Sequence, residues 1–293
     1  MNSLAKRAGD LWIARYARPS ASVKAARAAV SLLKPIVVVT GGSRGIGAAL
    51  AARFAEAGHD VAIVARGAVE LNAMAASFRA NTSQTVLAIA CDITSLSAPE
   101  NIDQTLTENG FYLDILVNNA GLGLSGPFDA HTSAEIDQLI ALNVTAFSRL
   151  MHHALVALRA RQQGGILNVA SLGAVVPGPF QAAYYASKSY VTALTEAVAA
   201  EQPGDGVRIS VLNPGPVNTT FHASMKADTA RYRRFLPALS LVRVASAGYR
   251  GFTIGQRVIV PGIFNRVMFG GLRLLPHPVT TPIVRWLLRP PKE

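Results

Sequence analysis

Tyr184 and Lys188 stand four residues apart. On a helix that spacing puts both side chains on one face, about one turn apart. An ammonium beside a phenol favours the phenolate, so Lys188 is expected to lower the tyrosine pKa. A phenol tuned in this way can pass a proton at neutral pH, which an ordinary tyrosine with a pKa of about 10 does poorly. Ser171 lies earlier, at the end of the apolar run Ile166-Leu167-Asn168-Val169-Ala170. A hydroxyl at a strand end can hydrogen-bond the oxygen that the tyrosine protonates. The same spacing also occurs on ordinary exposed helix faces, so this chemistry needs a redox cofactor site upstream.

Such a site is legible. Ile36-Val37-Val38-Val39 has the β-branched composition of a buried parallel strand. It runs into Thr40-Gly41-Gly42-Ser43-Arg44-Gly45-Ile46-Gly47 and then a helix over 48–57. Strand, glycine turn and helix form the dinucleotide-binding arrangement: glycines admit a pyrophosphate, and the helix start offers free N–H groups. Gly41, Ser43, Arg44, Gly45, Ile46 and Gly47 are the candidate contacts. A second strand, 60–65, ends at Arg66 with no acidic residue to grip a ribose 2′-hydroxyl. Arg66 and Arg44 could instead flank a 2′-phosphate through forked, charge-assisted bonds. The expected cofactor is NADP(H) in preference to NAD(H).

The remaining elements place these residues. A helix is expected over 68–80 and a third strand over 86–91, ending at Asp92, which can accept a hydrogen bond from an adenine amino group; Ile93 follows it. The fourth strand, 113–117, leads into Asn118-Asn119-Ala120-Gly121, where small residues admit a nucleotide. Helices over 132–142 and 144–162 flank Asn143, a polar residue at a helix irregularity. Strands over 165–170 and 207–212 enclose a helix over 183–200. Strands separated by helical crossovers predict an α/β fold with a Rossmann-type doubly wound parallel sheet, its site beyond the carboxyl ends of the strands.

In this order and spacing, the glycine turn, Asp92, Asn118 to Gly121, Asn143, Ser171, Tyr184 with Lys188, and Asn213-Pro214-Gly215-Pro216-Val217-Asn218-Thr219 resemble the single-domain short-chain dehydrogenase/reductase family over about residues 35–225. The resemblance implies hydride transfer between a nicotinamide and a carbonyl carbon. It makes Tyr184, and not the adjacent Tyr185, the acid/base, because only Tyr184 lies four before Lys188. It makes Lys188 the residue that tunes the phenol and binds the nicotinamide ribose, Ser171 the carbonyl-orienting hydroxyl, and Asn143 the holder of a relay water. Asp92, Ile93, Asn119, Ala120 and Gly121 would line the nucleotide, and Pro214, Gly215, Val217 and Thr219 would cover the nicotinamide amide. It also implies a homo-oligomer, dimer or tetramer.

Composition bounds the rest. Of 293 residues 50% are hydrophobic and 15% charged, which excludes a disordered chain. Cys91 is the single cysteine, so no disulfide within the chain can form, and a reducing, cytoplasmic compartment fits. The first residues lack the build of a secretory signal. The net charge of +11 belongs to the ends: seven Lys/Arg and one Asp before residue 36, eleven Lys/Arg and one Glu after residue 230. The expected organisation is a basic amphipathic helical extension over 1–34, a catalytic domain over 35–260, and a basic apolar helical extension over 261–293. Within the first, Leu4, Ala8, Leu11, Trp12 and Tyr16 share one helical arc, and Ser20 can cap a second helix. Basic amphipathic ends can pack on their own domain or a second subunit, the favoured reading for the N-terminus, or lie on the inner face of an anionic membrane; for the C-terminal extension the readings are membrane docking, a cover over the substrate, or a subunit interface. Without a basic core or a reading motif, nucleic-acid binding is not expected, and neither is a metal. The apolar loop 172–183 and residues 221–241, including Phe221, Met225, Phe235 and Leu236, suit a hydrophobic ketone, alcohol or acyl chain. The alternative to an enzyme is a non-catalytic NADP(H)-binding sensor or scaffold.

Overall fold

The computed structural model describes residues 19–201, 204–217, 225, 231–232 and 236–289. The arc at 4–16, and Asn218, Thr219, Phe221, Arg233, Arg234 and Phe235, lie outside the described residues. Seven strands form one parallel sheet: β1 Lys34–Thr40, β2 Val61–Ala65, β3 Val86–Ala90, β4 Phe111–Asn118, β5 Gly165–Val169, β6 Arg208–Leu212 and β7 Val258–Ile259, in the order 3-2-1-4-5-6-7. The chain therefore reverses its direction of winding between β1 and β4, and a crevice opens there beyond the strand ends.

Alternation along β1 builds both faces. Val37 and Val39 point to one side, against α2 (Gly45–Glu56) and α8 (Leu241–Thr253) through Leu50, Phe54, Val244 and Phe252. Ile36 and Val38 point to the other, against α4 (Ala98–Glu108) and α6 (Phe147–Arg161) through Ile102, Leu106, Phe147 and Leu150. Phe54 and Phe252 are wholly buried; each such side chain contributes about 1.5–3 kcal/mol. The remaining helices are α1 Ala21–Ala28, α3 Ala68–Asn81, α5 Ser133–Ile140, α7 Ala182–Glu201, α9 Ile263–Leu274 and α10 His277–Leu288. In α1 the Ser20 hydroxyl accepts from the Val23 amide at 3.3 Å, as an N-cap should. The helix packs on α6, where Arg27 Nε donates to the Arg161 carbonyl at 2.9 Å.

One element departs from the sequence reading and one fills it in. Helix α4 was not expected, because its polar composition hides the few residues it buries, Ala98, Pro99, Ile102 and Leu106. The irregularity expected at Asn143 takes the form of a π-helical segment, Ala141–Ala146, joining α5 to α6. The run Ser133–Arg161 is long and apolar enough to cross a membrane, but Leu139, Phe147, Leu150, Met151, Ala154 and Leu158 are buried against the fold.

Candidate active site

The cleft starts at the turn after β1. Gly41 sits at φ +64°, in the left-handed region that other residues avoid, and a Cβ there would meet the Asn119 amide and the Ala120 backbone. At Gly47 a Cβ would collide with the Gly41 carbonyl and the Asn119 side chain. The glycines thus let the turn fold tightly onto β4. Thr40 ties the two together: its hydroxyl accepts from the amides of Asn119 (2.9 Å) and Ala120 (3.0 Å). Asn119 Nδ2 donates back to the Thr40 carbonyl at 2.9 Å. Arg44 occupies the N-cap of α2 without a side-chain cap bond, so the first amides of this helix face the cleft.

This turn borders a cavity of about 780 Å³. Of the expected cofactor contacts, Gly41, Ser43, Arg44, Gly45, Ile46, Arg66, Asp92, Ile93, Asn119, Ala120, Gly121, Pro214, Gly215 and Val217 line it. Gly47 stands behind, as the close-packing residue, and Thr219 lies outside the described residues. Arg44 and Arg66 are exposed on the rim and make no ion pair among the described residues. Asp92 Oδ1 accepts from the Thr94 amide at 3.0 Å and the Thr94 hydroxyl at 2.7 Å. Those bonds, with a smaller contribution from the Arg66 charge, hold its carboxyl below the usual range. Glu70, in the first turn of α3, also lines the cavity; it is the acidic group near the end of β2 that strand reading alone did not count. A glycine cradle, a helix N-terminus and two cations on one rim fit a phosphorylated dinucleotide.

At the inner end, Ser171, Tyr184 and Lys188 converge on the same cavity. Ser171 leaves β5 and caps a short 3-10 turn, its hydroxyl accepting from the Gly173 amide at 3.2 Å. The same hydroxyl is hydrogen-bonded to the Tyr184 phenol. Lys188 is buried, and its Nζ donates to the Val169 carbonyl at 3.0 Å. The ammonium lies 5.9 Å from the centre of the Tyr184 ring.

The electrostatics correct the sequence expectation that Lys188 lowers the phenol. Burial dominates, pushing Tyr184 up to about 12 against a partial offset from Ser171. Burial likewise pushes Lys188 down to about 8. The ammonium is engaged with the Val169 carbonyl at the end of β5, at the wall of the cavity. At neutral pH the phenol is therefore held as the proton-bearing acid.

Asn143 lies beneath this group and not on the cavity wall. Its Nδ2 donates to the Leu122 carbonyl (2.7 Å) and the Ser187 hydroxyl (3.0 Å), and its Oδ1 accepts from the Leu122 amide (2.9 Å). The π-helical segment aims this amide at the backbone that follows Gly121, so its visible work is bracing that wall beside Lys188.

From sequence the C-terminal helices could be a substrate cover, a membrane anchor or an interface; the fold places them over the site. Met268 and Leu272 of α9, and Ile283, Val284 and Leu287 of α10, line the cavity with Tyr185, Met225 and Tyr232. Asn265 of α9 packs directly on Gly215, where a Cβ would collide with its amide, and its Nδ2 donates to the Pro261 carbonyl at 2.9 Å. The available signal was that α9 is apolar around most of its circumference, as a helix with two contacts must be.

Residues 35–230 match the family model described as short chain dehydrogenase. The chain is 33% identical to the NADPH-dependent pterin aldehyde reductase of Arabidopsis thaliana, over 66% of this chain and 79% of that protein. It is 34% identical to human 17-beta-hydroxysteroid dehydrogenase type 3, over 62% of this chain but only 59% of that protein's length. Among solved structures, a short-chain dehydrogenase from Sphingobium yanoikuyae in complex with NADPH superposes with a TM-score of 0.73 at 28% identity, covering 85% of this chain and 94% of that one.

Proposed function

The chain belongs to the short-chain dehydrogenase family, whose members are oxidoreductases on an NAD(P)-binding fold, and we propose from this that it is an NADP(H)-dependent reductase of hydrophobic ketones. The observation that carries the reading is the hydrogen bond from Ser171 to the Tyr184 phenol on the wall of a cavity that begins at the glycine turn. When bound, the reduced nicotinamide supplies a hydride to the carbonyl carbon. Tyr184 gives its proton to the carbonyl oxygen, and Ser171 holds that oxygen against the phenol. Lys188 stands beside the phenol, where its ammonium steadies the phenolate left by that proton transfer and can meet the nicotinamide ribose. Asn143 keeps the Gly121–Leu122 wall in register and is the proposed anchor of a relay water.

Preference for NADP(H) is supported by Arg44 and Arg66 on one rim, with Glu70 as the opposing charge. A hydrophobic substrate is supported by the aliphatic and aromatic wall around Tyr184. A sensor or scaffold without turnover is not favoured, because serine, tyrosine and lysine stand together at the cleft. The test is NADPH oxidation across ketones of graded size, with Tyr184→Phe as the control. The variant is expected to lose about 10²–10⁴-fold in kcat, the range of a general acid, while its NADPH affinity stays within about two-fold. A Tyr184→Phe enzyme with wild-type turnover would remove the assignment.

A further inference from the structure

Helices α9 and α10 are apolar on the side that faces solvent as well as on the side that walls the cavity. On α9, Ile263, Val267 and Leu274 follow one another at helical spacing and are 79%, 72% and 87% exposed, opposite the inward Met268, Phe269 and Leu272. On α10, Val279 and Ile283 are 48% and 52% exposed, opposite the buried Val284 and Leu288; Trp286 beside them carries the Arg231 guanidinium 5.2 Å from its ring centre. Folded surfaces rarely leave apolar side chains in such continuous stripes without a partner. The charge on these two helices is all positive. Arg266 and Arg273 flank the α9 stripe, Arg285 and Arg289 border that of α10, and the sequence holds no Asp or Glu between Asp228 and Glu293. Arg273 reaches Glu196 of α7 at 3.0 Å, whereas Arg285 and Arg289 make no ion pair among the described residues.

We propose that this outward face docks on an anionic lipid bilayer, with the aliphatic stripe among the acyl chains and the arginines at the headgroups. A second copy of the chain is the poorer occupant, since the same face would bring the same excess of cations, and its one neighbouring carboxylate, Glu196, is already paired with Arg273. The docked face is continuous with the cavity: Ile283 is half exposed and also lines the cavity wall. On the reductase reading above, a lipid-like ketone would pass from bilayer to cleft along this helix pair.

The experiment is flotation of the full chain with vesicles of phosphatidylcholine alone or of equimolar phosphatidylcholine and phosphatidylglycerol. Binding to the anionic vesicles only, weakening as salt rises, is expected. Val267→Asp with Leu274→Asp should reduce the floated fraction at least ten-fold, and so should Arg285→Glu with Arg289→Glu. Both double variants should still oxidise NADPH with a water-soluble ketone in lipid-free buffer, which shows that they fold. A wild-type chain that fails to float, or variants that float as well as wild type, would overturn the proposal. So would a wild-type dimer that Val267→Asp dissociates, because it assigns the face to a second copy. Flotation and lipid-free turnover judge the docking face and the reductase reading separately.

Discussion

Lys188 is the residue at which stability and chemistry pull apart. Its pKa falls to about 8 from an ordinary 10.5 because the folded chain buries the ammonium. Below pH 8 both folded and unfolded chains carry the charge, and folding bears the full desolvation penalty. Between about 8 and 10.5 the unfolded chain binds more protons, so stability rises with pH by up to about 3 kcal/mol across that window. Lys188→Met removes the penalty but orphans the Val169 carbonyl, a loss of about 1–2 kcal/mol. The variant is therefore expected to be about 1–2 kcal/mol more stable than wild type in urea at pH 7, with the advantage gone near pH 10, and to be inactive. An equal gain at both pH values would show that the ammonium is not desolvated in the fold. Arg66 tests the cofactor rim. If it grips a 2′-phosphate, Arg66→Ala should raise KM for NADPH by about 10-fold or more and leave KM for NADH unchanged, since a charge-assisted bond of this kind contributes about 1.5–3 kcal/mol. Equal changes for both cofactors would make Arg66 a surface residue. The spacing of Ser171, Tyr184 and Lys188 was legible from sequence. The direction of the phenol's pKa was not, because it depends on burial contributed by distant segments.

Elements were readable where a strand or helix carries its own pattern. The β-branched runs of β1 and β2 and the glycine turn between β1 and α2 are local signals. Helix α4 is not: only Ile102 and Leu106 among its large apolar residues mark its buried side, and the sheet that selects them lies elsewhere in the chain. Asn143 was legible as an irregularity but not as a brace, since its partner Leu122 comes from another segment. The brace makes a specific demand. Asn143→Ala strips Leu122 of two hydrogen bonds and Ser187 of one, leaving buried polar groups unpaired. A loss of about 2 kcal/mol in urea unfolding is expected. Lower kcat with an unchanged NADPH affinity should accompany it, because the wall that shifts lies beside Lys188. A variant as stable as wild type would mean that the π-helical segment needs no brace. One with intact kcat would mean that the wall's register does not reach the phenol.

At the scale of the whole molecule, the boundary expected at residue 260 divides the sequence but not the site. The basic C-terminal segment has no motif, and its apolar residues read equally as cover, interface or anchor. Only the fold shows α9 and α10 turned inward over Tyr185 and Tyr232, with Asn265 seated on Gly215. The segment should therefore set which carbonyl compounds fit. Leu272 faces the cavity from α9, and Leu272→Trp adds bulk there without touching Ser171 or Tyr184. If α9 forms the wall of the substrate pocket, the variant should lose about 10-fold or more in kcat/KM for a bulky ketone while a small ketone is reduced at close to the wild-type rate. That split is the signature of lost space, since damage to the proton donor would lower both rates together. An unchanged ratio would place the substrate on another side of the cavity, between the glycine turn and α5, and leave the C-terminal helices as a cover over a pocket that they do not shape.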